Sequence, residues 1–328
     1  MLTRRLSGAV LLAAAVGVHG KRPLAANTAW RIVTEYPATA IPGEGISFFA
    51  ETATRLSGGA LNIQPGFDAP GGLKSAGMLS AVREGQVEAA DAFTGALASE
   101  AAIFQLSALP FLTSSTADTQ RLLKVARGAY VAALNEFGVS LLYATPWPAT
   151  GLWSRLPVAG AESLRGLRVR TYDAASTAVL LAAGAAPVQI TFADAVSRLR
   201  MDQLDAVLSS GDGGAGARLW ELLPNFTALD YASLLSLAFC NSVTLAATAR
   251  PVREAVIQAG LATEARQFQA IATRRAENDA RMRANGVTVA SAPQLRAALM
   301  AASTKVVADW TSRTGAEGEK IIAAYRGD

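Results

Sequence analysis

Residues 162–207 read ESLRGLRVRTYDAASTAVLLAAGAAPVQITFADAVSRLRMDQLDAV, and this stretch decides the fold. Short runs of apolar and β-branched residues alternate in it with segments whose apolar residues recur at helical spacing. The runs predict strands at residues 167–171, 188–190 and 205–209, and the segments predict helices at 173–183 and 192–201. Thr191 and Asp194 form a capping pattern at the start of the second helix. Strands that alternate with helices predict βαβ units and an α/β fold.

The same alternation begins earlier in the chain, at Trp30. The elements predicted there are strands at 30–34, 61–64, 87–93 and 139–144 and helices at 46–56, 73–85 and 118–137. Two such series in 328 residues predict two βαβ domains with a cleft between them, since one domain takes about 100–200 residues. The apolar segment 234–247 predicts a strand that returns the chain between the halves.

A long helical pattern runs from Pro251 to about residue 284 and is followed by Asn285 and Gly286. At 1.5 Å per residue it spans roughly 50 Å, so it should cross both domains. The alternative is two shorter helices that break at Gly260. The predicted division is residues 27–148 with about 239–278 for domain I, and 149–238 with about 279–328 for domain II.

The first 26 residues have the pattern of a cleaved signal peptide. A basic start at Arg4 and Arg5 precedes an apolar run that is shorter than the ~20 residues of a membrane span. We expect cleavage near Ala26 and a periplasmic protein without stable membrane insertion; an uncleaved anchor is the alternative. The export route, general or twin-arginine, stays open.

The charge of the chain argues against nucleic-acid binding. The sequence has 30 Lys and Arg against 26 Asp and Glu, and four of the basic residues lie in the leader, which has no acid. The remaining chain is therefore balanced, with 26 residues of each sign. A balanced chain has no electrostatic footprint for a phosphate backbone.

The residue types left after the leader also limit the chemistry. His19 is the only histidine and Cys240 the only cysteine, so a mature chain has no histidine-based nucleophile pair, no histidine zinc site and no intramolecular disulfide. We expect a binding protein that holds no cofactor or metal. An exported lyase or isomerase that uses Glu35, Asp91 and Asp212 as acid and base is the alternative.

The ordered motifs resemble the extracytoplasmic solute-binding proteins of TRAP transporters, the DctP family. SALPFL at residues 107–112 is similar to the family's Leu-Pro-Phe-Leu-Phe, and LRGLRVR at 164–170 is similar to its Leu-Lys-Gly-Leu-Lys-Ile-Arg. GAAPVQITFAD and LDAV resemble its Gly-Ala-x-Pro-Val pattern and its Val-Asp-Gly strand. The resemblance implies a periplasmic-binding-protein fold, a monomer, an organic carboxylate as ligand and a membrane permease as partner. ABC-type and TAXI-type binding proteins are alternatives.

The resemblance also implies residues for the site. The arginine that ends the family's Leu-Lys-Gly-Leu-Lys-Ile-Arg motif binds the carboxylate, and here it is Arg170, whose planar guanidinium can donate two parallel hydrogen bonds. The alternative is a strand-end arginine paired with Asp173. A second family arginine is replaced by Trp153, which favours a monocarboxylate with an apolar or aromatic body. The other candidate ligand contacts are Phe192, Ser209, Ser210, Trp147, Phe93, Tyr36, Glu35 and Asn241.

Two alternatives remain at these positions. Trp147 and Trp153 could instead pack at the domain junction. Residues 211–216, GDGGAG, match the G-x-G-x-x-G pattern of dinucleotide sites, but no acid follows at about 20 residues. We expect a glycine-rich loop that lines the cleft.

Overall fold

The computed structural model describes residues 28–327, and the signal peptide predicted at residues 1–26 lies outside this range. The strands are β1 (Thr28–Thr34), β2 (Leu61–Gly66), β3 (Ala89–Phe93), β4 (Val139–Pro146), β5 (Thr150–Ser154), β6 (Arg168–Thr171), β7 (Ala186–Gln189), β8 (Ala206–Ser210), β9 (Asn225–Ala228), β10 (Leu235–Asn241) and β11 (Thr288–Ser291). The α-helices are α1 (Ile41–Leu56), α2 (Ser75–Arg83), α3 (Thr116–Glu136), α4 (Ala174–Ala182), α5 (Phe192–Arg200), α6 (Gly211–Gly216), α7 (Ser242–Ala247), α8 (Arg250–Ala284) and α9 (Pro293–Arg326).

The first sheet has five strands in the order β2-β1-β3-β10-β4. β1 runs parallel to β2 and β3, whereas β10 is antiparallel to β3 and β4. Apolar side chains cover both faces: one face packs on α1 and α8, and the other on α2 and α3. Burial on both faces explains why these strands read as apolar runs in the sequence.

The second sheet has six strands in the order β11-β9-β5-β8-β6-β7. β6 is parallel to β7 and β8, and β5 is antiparallel to β8 and β9. Asp173 starts α4 with a capping box, in which its side chain accepts a hydrogen bond from the Ser176 amide at 2.7 Å. The Thr191 hydroxyl caps α5 in the same way, as the sequence pattern predicts. The βαβ reading of residues 162–207 is confirmed.

α8 joins the two halves. Its 35 residues pack on α1 and β4 at one end and on α6 and β11 at the other. Gly260 lies inside this helix and does not break it. A glycine is needed at this position because α8 crosses the sheet so closely that a Cβ would clash with the Leu142 carbonyl oxygen. The predicted fold, two βαβ domains with a long helix that crosses both, is confirmed.

One sequence prediction is wrong. Residues 234–247 are not one strand: β10 ends at Asn241, whose side chain accepts a hydrogen bond from the Thr244 amide and starts α7. β5, β9, β11 and α9 were not predicted, since their apolar runs are short or weakly periodic. In the second half of α9, the Trp310 indole donates to the Ala102 carbonyl and the Tyr325 hydroxyl to that of Leu112.

We propose domain boundaries that follow these contacts. Domain I comprises β1 to β4, β10 and their helices, and the second half of α9 packs on it. Domain II comprises β5 to β9, β11 and α4 to α6. Within residues 28–327, none of the helices is both long and apolar enough to cross a membrane.

The close approach of α8 to β4 gives a test of the fold. Gly260→Ala should lower the free energy of unfolding by about 1–3 kcal/mol, because the new methyl group has no space against the Leu142 carbonyl. Gly128→Ala in α3 is the matched control: it adds the same methyl group where no atom lies within 4 Å. It should raise the free energy of unfolding by about 0.5–1 kcal/mol. Urea denaturation measures the free energy of unfolding of both variants. Equal changes in the two variants would contradict the close packing of α8 on β4.

Candidate functional site

A cleft lies between the two domains, at the ends of β1, β3, β6 and β8. Its volume is about 20 Å³, and its wall is formed by Tyr36, Phe93, Trp147, Arg170, Tyr172, Phe192, Ser209, Ser210 and Leu234. A second space of about 180 Å³ shares Tyr36, Phe93, Arg170 and Tyr172 with it and extends to Glu35 and Thr191. The two spaces therefore lie on either side of the same side chains.

Arg170 is the cation of this cleft. It lies near the end of β6, between β7 and β8, and only 5% of its surface is exposed. Its Nε donates to the Ile190 carbonyl at 2.9 Å and its Nη1 to the Leu208 carbonyl at 3.1 Å. These bonds fix the plane of the guanidinium and leave further N–H groups free for a ligand.

Among residues 28–327, no carboxylate oxygen lies within 4.0 Å of the Arg170 guanidinium nitrogens. The pairing with Asp173 that the sequence left open is absent, since Asp173 caps α4 instead. Burial lowers the pKa of Arg170, and the nearby Tyr36 and Glu35 oppose that shift. A guanidinium stays charged in proteins, so a buried positive charge faces the cleft without a direct ion pair to a described carboxylate.

Aromatic rings from both domains form the walls around this charge. Tyr36 meets Trp147 edge-on, with ring centroids 4.7 Å apart, and lies 6.2 Å from Phe192. Phe93 meets Tyr172 edge-on at 5.4 Å. The Arg170 Cζ lies 5.7 Å from the Phe192 ring centroid and 5.8 Å from that of Tyr172. Flat apolar surfaces that flank one cation suit a carboxylate with a compact, planar body.

Two serines supply polar atoms on the domain II side. Both are at the end of β8 and are nearly buried. The Ser210 hydroxyl accepts a hydrogen bond from the Gly213 amide at 3.2 Å and caps α6. The Ser209 hydroxyl makes no hydrogen bond within the described part of the chain, so it is available to a ligand.

Two predicted site residues lie elsewhere. Trp153 is fully buried: its indole packs edge-on against Phe226 and donates to the Ser210 carbonyl at 3.2 Å. It supports the cleft from beneath and does not line it, which matches the packing alternative. Asn241 ends β10 on the side away from the cleft, and its amide donates to the carbonyls of Val82 and Arg83. We therefore exclude both residues from the ligand wall.

The glycine-rich segment 211–216 is not a loop. It forms α6, and a Cβ at Gly214 would clash with the Trp153 indole. The glycines therefore allow close packing and are no sign of a phosphate site. Sequence reasoning missed Tyr172 and Leu234 as cleft residues. Tyr172 could have been found, because it follows Arg170 by two residues and side chains two apart along a strand share one face.

The family model for bacterial extracellular solute-binding proteins of family 7, DctP, matches residues 32–313. This chain belongs to the DctP family. No curated protein matches it. DctP7 of Bordetella pertussis, a receptor crystallised with pyroglutamic acid, is 27% identical, with a TM-score of 0.88 over 91% of this chain and 99% of that one.

Two further structures extend the comparison. A marine-metagenome TRAP solute-binding protein specific for pyroglutamate is 26% identical, with a TM-score of 0.87 over 92% of this chain and 99% of that one. A TRAP periplasmic protein of Chromohalobacter salexigens with bound D-glucuronate is 15% identical, with a TM-score of 0.83 over 91% of this chain and 99% of that one. At this lower identity the likeness supports the fold alone.

The comparisons settle the class of the protein. DctP proteins are TRAP transport receptors and not enzymes, so the lyase or isomerase and the ABC-type and TAXI-type alternatives are wrong. The three carboxylates of the enzyme alternative are also separated in the structure. Glu35 lines the cleft, Asp91 is buried within the first sheet, and Asp212 accepts hydrogen bonds from Ile41 and Arg274.

Asp91 is an ionisable group buried behind the cleft wall. It stands beside Thr34 on β1 and Ala238 on β10, and neither carboxyl oxygen has a hydrogen-bond partner among residues 28–327. Burial raises its pKa to about 7, although the nearby hydroxyls of Ser236 and Thr34 lower it. The folded protein therefore holds a proton at this site between about pH 4 and pH 7 that the unfolded chain has released.

Stability should consequently fall as the pH rises through this window, by as much as about 4 kcal/mol. Asp91→Asn should remove that dependence, so that the free energy of unfolding at pH 8 rises relative to the parent protein. Urea denaturation at pH 5 and pH 8 measures the difference. Asp194→Asn is the control: the bond from Lys74 lowers the pKa of Asp194 below its usual value, so this group stays ionised from pH 5 to pH 8 and its loss should leave the slope in that range unchanged. An unchanged pH slope in the Asp91 variant would contradict a protonated Asp91.

Proposed function

We propose that this DctP protein captures an organic monocarboxylate with a compact ring or apolar body through Arg170 and delivers it to a TRAP permease. One observation carries the proposal: a nearly buried guanidinium faces the cleft, is fixed by two carbonyl oxygens and makes no direct ion pair with a carboxylate of residues 28–327. A ligand carboxylate supplies the missing negative charge.

Burial strengthens this pairing. A charge removed from water costs free energy unless an opposite charge and hydrogen bonds replace the water. The unused N–H groups of Arg170 can donate two parallel bonds to the two oxygens of one carboxylate. The binding free energy is then concentrated at a single residue, and the aromatic walls select among acids by the shape of the rest of the molecule.

The size and lining of the cleft favour a small acid. Its two parts have volumes of about 20 Å³ and about 180 Å³, below the range of about 300–1,000 Å³ for ligand pockets. Arg170 is the one cationic side chain in the wall of either space, among the residues that the structure describes. A second carboxylate would therefore have no cation of its own. The two receptors at 26–27% identity that hold pyroglutamate, a monocarboxylate on a planar ring, support this class of ligand.

The cellular setting completes the proposal. DctP-family receptors are periplasmic, and a TRAP receptor works with a membrane permease. We propose export of this chain by the signal peptide at residues 1–26 and function as a monomer.

Arg170→Ala tests the central residue. With pyroglutamate as the probe, we expect at least a roughly thousandfold loss of affinity, because the carboxylate would be buried without its cation. Arg170→Lys should lose nearly as much affinity for pyroglutamate, since an ammonium cannot make the two parallel hydrogen bonds. Arg168→Ala is the matched control: Arg168 lies on the same strand but pairs with Asp205 at 2.6 Å outside the cleft. Calorimetry on folded variants measures the affinities.

Two outcomes would contradict the proposal. Near-normal affinity in Arg170→Ala would remove Arg170 from the site. Thermal stabilisation of the parent protein by succinate, a dicarboxylate, or by glucuronate, a sugar acid, but by no monocarboxylate with an apolar or compact ring body would overturn the ligand class, since bound ligand stabilises the folded state by mass action.

A further inference from the structure

The amide groups at the starts of α1, α2 and α5 each bond to a carboxylate outside their own helix. Ile41, Ser75 and Phe192 are the first residues of these helices, so their N–H groups have no acceptor within the helix. The carboxylates are those of Glu35 and Asp212. In two of the three cases helix and carboxylate belong to different domains.

Glu35 joins the domains at the mouth of the cleft. It follows β1, and 6% of it is exposed. Its Oε2 accepts from the Ser75 amide of domain I at 2.9 Å, and its Oε1 accepts from the Phe192 amide of domain II at 3.1 Å. Both oxygens are therefore engaged by backbone N–H groups, which differs from the direct ligand contact expected from the sequence.

Asp212 joins the domains at the other side, next to α8. Its Oδ2 accepts from the Ile41 amide at 2.8 Å, and its Oδ1 accepts from Arg274 at 2.6 Å and from Asn278 at 3.2 Å. Arg274 and Asn278 lie on the helix that both domains pack against. This contact therefore lies beside the helix shared by both domains, whereas the contact of Glu35 with Phe192 lies at the cleft, away from that helix.

We propose that Glu35 is a positioning residue that latches the cleft shut around its ligand and sets the Phe192 ring against Arg170, a role that rests on the proposed function of this site. Opening the cleft breaks the bond to Phe192 and leaves an amide without its acceptor. The bond to Ser75 holds the carboxylate in place for the next closure. Hydrogen bonds to a charged group stabilise by more than neutral ones, so one such bond can shift the balance between open and closed forms about tenfold.

Glu35→Gln tests the latch, because its side chain has one acceptor oxygen in place of two. We expect hydrogen exchange of the Phe192 amide, followed by NMR in the ligand-free full chain, to be at least about tenfold faster. Exchange of the Ile41 amide should not change, since its acceptor is Asp212. Asp118→Asn is the matched control: Asp118 accepts from the Ser114 amide within domain I alone. It should leave the exchange of Phe192 unchanged.

The second measurement is the rate at which pyroglutamate dissociates. We expect it to rise about tenfold in Glu35→Gln, with the association rate little changed. Glu35→Asp should act in the same direction, because the shorter side chain keeps the charge but cannot reach both amides. If Glu35→Gln does not fold, Glu35→Asp alone decides both measurements.

Unchanged exchange at Phe192 would overturn the latch, even if pyroglutamate binding weakens, since Glu35 would then be a ligand contact. A parent protein that binds no carboxylate would overturn the proposed function. The comparison of Phe192 exchange needs no ligand and would still decide the latch.

Discussion

Burying a cation without a direct ion pair costs free energy, and Arg170 is such a cation among the described residues. Two backbone carbonyls orient it and aromatic rings flank it, but no described carboxylate reaches it. The surrounding structure keeps the charge in this position: β6 is held between two parallel neighbours, and Asp173 is used as a helix cap. Under the proposed function, a bound carboxylate offsets the cost of leaving Arg170 unpaired.

The cleft around this charge has two walls, one from each domain. Domain II supplies Arg170 and Phe192, and domain I supplies Tyr36 and Phe93. α8 spans both domains and carries the residues that tie Asp212 to α1, so the two walls share one rigid support on that side. On the other side, Glu35 contacts the start of α5 at Phe192. Under the proposed function, an acid that enters is bound first by its charge, and the closing of the aromatic walls then selects it by shape.

Much of the fold could be predicted from the sequence because its strands are buried on both faces and read as apolar runs between helical patterns. The position of Arg170 at a strand end could be predicted as well, whereas Tyr172 was missed although the two-residue period of a strand could have placed it beside Arg170. The position of the Trp153 side chain could not be predicted, since the sequence of β5 has no recognisable strand pattern. Only the packing beneath Gly214 shows where the indole points. The positions of Asn241 and of the end of α9 depend on which elements pack against them. The sequence alone does not show that tertiary packing.

The most direct test of the account is a crystal structure of the protein purified from periplasm with the ligand that it carries. We predict a monocarboxylate whose two oxygens both lie within hydrogen-bond distance of the Arg170 guanidinium, with its body between the rings of Tyr36, Phe93 and Phe192. A neutral ligand, or an acid whose carboxylate lies away from Arg170, would contradict the account.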